Sequence, residues 1–98
     1  MKYIIRRQCH EKIEQFYRNV LKKYRHTYSI ELMQRNVLDA TNGMRLIEKT
    51  LLRRKPTLTR WQQQGYHMAN TGKWYYAYTI DGDTITIQDA CHAQNMHE

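Results

Sequence analysis

Histidine has the widest chemical reach of any side chain near neutral pH, and His92 is the best placed of the five in this chain. By strand alternation it continues the even-numbered face of Thr84, Thr86 and Gln88, a face shared with Tyr75 across a hairpin. A histidine there could act as acid or base on a ribose 2′-hydroxyl or on a leaving oxygen. Lys73 and Arg60 would add positive charge near a phosphate. His92, Tyr75 and Lys73 therefore form the candidate catalytic set. The plainer alternative is an exposed tail histidine and a lysine in a solvated turn.

A second constellation is Cys9-His10 with Cys91-His92, which holds the donors of a tetrahedral zinc site. Adjacent residues of an extended chain point to opposite sides, so both members of a pair rarely reach one ion. No metal and no cofactor are expected. Two cysteines make no disulfide framework, and they read as free thiols packed as small hydrophobes. Eight tyrosines with Trp61 and Trp74 could stack on bases. The alternation of Tyr76 and Tyr78 favours core for those two, and Tyr75 is open to either role.

The charge is lopsided. Sixteen Lys and Arg against nine Asp and Glu give +7. Residues 1–60 hold fifteen bases and five acids, a net of +10, while residues 61–98 hold Lys73 and four acids, a net of −3. Such a field favours a polyanion. The candidate nucleic-acid contacts are Arg53, Arg54, Lys55, Arg60, Lys22 and Lys23. A solvated surface is the duller account of any one of them, but together they argue for an anionic partner, because each neutralised phosphate releases counterions. Disorder is excluded by 41% hydrophobic residues with one proline and four glycines. No apolar run approaches the roughly 20 residues of a membrane span. Met1–Arg7 breaks into charge too early for a signal peptide, so no membrane partner and a cytoplasmic address are expected.

These side chains need elements to hold them, and 98 residues fit one domain, 1–98. Lys2 to Arg7 reads as a short strand. Ile13, Phe16, Tyr17, Val20, Leu21 and Tyr24 step by three and four, which predicts an amphipathic helix from about Cys9 to Tyr24. Thr27 or Ser29 can cap a second helix, whose stripe runs from Ile30 to about Arg53. Asn42-Gly43 within it implies a kink or a close helix approach. The short connection suggests an antiparallel hairpin. Beyond Pro56 the period becomes alternating, with strands expected at Leu58–Gln62, Tyr66–Asn70, Trp74–Ile80 and Thr84–Asp89, the last two joined at Asp81-Gly82-Asp83. Trp74, Tyr76, Tyr78 and Ile80 should share the face that receives the helices, leaving the reverse face polar and open. The expected class is α+β: an N-terminal strand, a helical hairpin, then a three- to four-stranded antiparallel sheet with the helices on one face.

Gly65-Tyr66-His67-Met68-Ala69-Asn70 followed by Gly72-Lys73-Trp74-Tyr75-Tyr76-Ala77-Tyr78-Thr79-Ile80-Asp81-Gly82-Asp83-Thr84-Ile85-Thr86-Ile87 resembles the closing segment of the RelE/ParE superfamily of toxin–antitoxin toxins. The strand running into a helix from Lys2 to Tyr17 is similar to that family's opening. The resemblance implies a cytoplasmic toxin neutralised by an acidic antitoxin. It would act as a metal-independent endoribonuclease on ribosome-bound mRNA, or as a gyrase inhibitor of the ParE type. In family nucleases, cationic and proton-transferring side chains lie on the open sheet face and C-terminal tail. Here Asn70 and Tyr75 stand where the family pattern has arginines, and the tail from Cys91 to Glu98 has no terminal arginine or tyrosine. A cation stabilises the extra charge of a phosphoryl transition state, and neither Asn nor Tyr supplies one. A non-catalytic binding module of the same fold is therefore the alternative.

Overall fold

The computed structural model describes residues 2–47 and 55–97. Strand β1 (Lys2–Ile5) leads into helix α1 (Arg7–Lys23), which is followed by α2 (Ile30–Arg45) and a short helix, α3 (Thr59–Gln63). Three strands complete the chain, β2 (His67–Thr71), β3 (Trp74–Asp81) and β4 (Thr84–His92), with a 3₁₀ turn at Ala93–Asn95. The sheet order is β1-β4-β3-β2. The last three strands are antiparallel, and β1 joins the far side of β4 in parallel. The class is α+β, with a mixed sheet of four strands.

The stripe on α1 forms as its spacing predicts. Cys9 and Ile13 are fully buried, and Phe16 and Tyr17 pack against the same cluster. Ser29 is the cap of α2, its hydroxyl accepting from the Leu32 N–H at 3.1 Å. Regular helix in α2 closes at Arg45, and the part of the expected stripe over residues 48–54, with Arg53 and Arg54, lies outside the described residues. The close neighbour of Gly43 is the sheet rather than another helix. The glycine lets α2 approach β2, where an added Cβ would overlap the Thr71 hydroxyl, and beside it the Tyr76 hydroxyl donates to the Ala40 carbonyl at 2.9 Å. Tyr76, Tyr78, Ile85 and Ile87 are completely buried between sheet and helices, as their alternation requires.

Two expectations fail, and they fail together. Leu58–Gln62 is not a strand: Trp61 and Gln62 both donate backbone N–H groups to the Leu58 carbonyl, closing the first turn of α3. That turn places Leu58 and Trp61 on one side, where they are buried against Met68, Ala77 and Cys91, with Tyr66, Tyr75 and Met96 at the margin. The reverse face of the sheet is therefore closed by the chain itself at this end. Only toward the β3–β4 turn does it carry the polar set expected, with Gln88 donating to the Thr79 hydroxyl at 3.1 Å.

The second surprise is a bulge. Ala77 pairs with Asp89 but Tyr78 pairs with Ile87, so Gln88 is an extra residue in β4. One inserted residue reverses the parity of everything after it. Ala90 and His92 consequently join the helix-covered side, and Asp89 and Cys91 turn toward α3.

Candidate anion-binding groove

Because β1 ends at Ile5, opposite Ile87, the remainder of β4 from Gln88 to His92 has no strand beyond it. Helix α1 takes that place: the Gln8 amide donates to the Gln88 carbonyl, and the Arg6 backbone N–H to the Ile87 carbonyl. The margin between α1 and the end of β4 opens into a hollow of about 310 Å³, lined in part by Lys12, Gln15, Arg60 and His92. A larger hollow of about 670 Å³ adjoins it through Phe16, Asn19, His92 and Asn95, and adds Lys23, Tyr24 and Lys73. A third, of about 350 Å³, continues past Tyr17, Asn36 and Lys73 to Asn42 and Gly72. Sharing these side chains, the three hollows lie side by side and together make the groove along α1.

His92 forms part of its floor rather than an exposed tail. Only 6% of the residue is accessible. Its ring stacks on Phe16 with centroids 4.0 Å apart and meets the edge of Trp74 at 5.3 Å. The Gln94 N–H donates to Nδ1 at 3.1 Å, which puts the proton of the neutral ring on Nε2. Burial, followed by the nearby Lys73 charge, lowers its pKa below the ordinary 6.5. At neutral pH the ring is therefore an uncharged hydrogen-bond donor with its basic nitrogen already occupied.

The candidate catalytic set divides. Lys73 stays with His92, since its carbonyl accepts from the Ala93 N–H at 2.8 Å and both residues line the larger hollow. Tyr75 pairs with Cys91 and packs with the α3 cluster, on the other face of the sheet. The shared face expected from simple alternation does not exist, because the Gln88 bulge intervenes. Of the six expected nucleic-acid contacts, Lys23 and Arg60 line the groove, and Lys22 and Lys55 are exposed outside its lining. Cys9 and Cys91 belong to different apolar clusters, so the two Cys-His pairs do not converge. Burial raises both thiol pKa values, that of Cys9 to about 12, which disfavours the thiolate.

Sequence reasoning missed two features. The first is Asp89, whose side chain is 11% exposed. Its Oδ2 accepts from Trp61 Nε1 at 2.8 Å, with Arg60 Nε at 3.9 Å. Its Oδ1 takes Lys12 Nζ and the Ala90 N–H. One carboxylate thus ties α1, α3 and β4 together. An aspartate inside a strand is disfavoured, and that was the available signal. The second is the polar stripe Lys12, Gln15, Asn19 and Lys23, whose spacing of three, four and four sets it along one edge of α1 beside the buried stripe. With Arg60 and Lys73 it gives the groove four cations, against the Asp89 carboxylate held by Lys12 and Arg60 and the Asp39 carboxylate at its far end.

No three His, Cys, Asp or Glu side chains converge on a metal-sized site among the described residues, and no described helix is long and apolar enough to cross a membrane. No family model, curated protein or solved structure matches the chain.

Proposed function

We propose that this protein is a toxin-like component of the RelE/ParE kind that engages RNA at the ribosome through the groove above His92 and is neutralised by an acidic partner protein. The observation that carries this reading is the row of adjoining hollows with Lys12, Arg60, Lys23 and Lys73 along it. The order of elements and a formal charge of +7 support it. A ribosomal target implies a cytoplasmic site of action.

The chemistry of the groove favours occupation of RNA over its cleavage. Cleavage at a ribose needs a base for the 2′-hydroxyl, an acid for the leaving oxygen and a cation on the phosphate. Here the imidazole is neutral with Nδ1 committed to Gln94, and Tyr75 lies across the sheet. The cations alone are in place. Incubation with ribosomes carrying mRNA tests this: the protein should co-sediment with them and leave the message intact, and Lys73→Glu should weaken the association. Message cleavage that disappears in His92→Gln would overturn the binding-only mechanism. Absence of any ribosome or RNA association would overturn the target.

A further inference from the structure

The helical hairpin carries a further hollow, of about 430 Å³, away from the groove above His92. Met33, Val37, Leu38 and Thr41 of α2 line it with Glu14 and Arg18 of α1, and none of these six lines the groove. Around α1, Glu14 lies about 200° from Lys12, so the hollow and the groove sit on opposite edges of the helix. Leu38 at the rim of the hollow and Ile30, about two turns earlier on α2, are the most exposed large apolar side chains among the described residues, at 58% and 56%. We propose that a second copy of this chain docks here across a two-fold axis, the Leu38 of each copy entering the hollow of the other. The proposal concerns a different surface from the RNA-binding reading and does not depend on it.

Helix α2 has more apolar surface than the sheet uses. Ala40, Gly43 and Met44 turn inward and are buried. Ile30, Met33, Val37, Leu38 and Thr41 fall at i, i+3, i+7, i+8 and i+11, a second stripe beside the first. A two-fold contact must be self-complementary, so one patch has to supply both the projection and the recess that receives it. This patch supplies both, a leucine standing out beside an apolar hollow. Charge identifies the occupant. Two copies of a chain carrying +7 repel over most of their surfaces. At the hollow the lining charges cancel: Arg18 Nη2 lies 3.6 Å from Glu14 Oε2, with side chains 60% and 51% exposed. An acidic or basic foreign chain gains no net attraction there. A second copy does, because a two-fold axis between antiparallel α1 helices sets Glu14 of each copy against Arg18 of the other.

Sedimentation equilibrium of the full chain without nucleic acid tests the proposal. The chain should pass from monomer to dimer with a dissociation constant of roughly 1–100 μM, in keeping with a small interface. Leu38→Ala should weaken the dimer at least about tenfold, because symmetry removes two seated leucines at once. Glu14→Arg and Arg18→Glu should each weaken it roughly threefold to thirtyfold, since each sets like charges against one another at two places. All three side chains are exposed, so the folded chain tolerates the changes. An equimolar mixture of the Glu14→Arg and Arg18→Glu proteins should recover dimer that neither forms alone, because opposite charges meet again at both places. A monomer at every concentration up to about 500 μM would overturn the proposal and leave the hollow to a different chain. A dimer as tight in Leu38→Ala as in wild type would place the interface elsewhere. Weakened single variants whose mixture recovers nothing would overturn the two-fold arrangement.

Discussion

The two faces of this sheet are closed in opposite ways. On one, α1 and α2 cover a cluster running from Cys9 to Ile87, and the overhang of α1 beyond β1 opens the groove floored by His92. On the other, a five-residue helix holds down a smaller cluster, and its polar anchor is one carboxylate, Asp89. The same strands serve both, and the bulge at Gln88 decides which side chain of β4 goes where. The lesson is that a single inserted residue decides which side chains of β4 floor the hollow beside α1 and which are sealed beneath α3.

The contrast can be attacked first at its largest lever. Trp61 is 1% exposed and carries the α3 contact, so Trp61→Ala should cost about 3–5 kcal/mol in urea unfolding. An effect under about 1 kcal/mol would mean that α3 contributes little and that the second face is effectively open. A smaller loss is expected from Asp89→Ala, which orphans the buried Trp61 N–H: about 1–3 kcal/mol. Its ion pair with Lys12 adds little, because the lysine side chain is 47% exposed. The gentlest probe is pH, acting on the first face. His92 has its folded pKa below 6.5, so the unfolded chain takes up the proton first. Stability contributed by the neutral ring is fully present above 6.5 and falls as pH drops from there toward the folded pKa. Comparing wild type with His92→Gln by thermal unfolding across that window should show the slope reduced in the variant. An unchanged slope would mean the ring is not buried as described.

Much of the fold was legible. The alternation of Trp74, Tyr76 and Tyr78, the three-and-four spacing on α1 and the Ser29 cap each reflect local backbone geometry that any window of sequence carries. So does the β3–β4 turn, where Gly82 takes φ +58° and Asp81 pairs with Thr84. The remainder depended on contacts distant in sequence. Thr86-Ile87-Gln88-Asp89-Ala90 contains no glycine or proline to mark a bulge, and its register is set by what Cys9 and Trp61 press against it. Five residues are too few for helical and alternating periods to be told apart, so α3 was misread. The site followed the same divide. Lys73 and His92 line the same hollow, whereas His92 was assigned to the open face with Tyr75 by a parity rule that the bulge breaks.

The most direct test of the account is backbone amide NMR of the labelled protein during titration with a short single-stranded RNA. The predicted shifts fall along α1 from Lys12 to Tyr24, at Lys73 and through His92–Asn95, with Met68 and Ala77 beneath α3 unmoved. Shifts centred on Tyr66, Tyr75 and Ala77 instead, or none at saturating RNA, would place the binding face elsewhere and contradict the account.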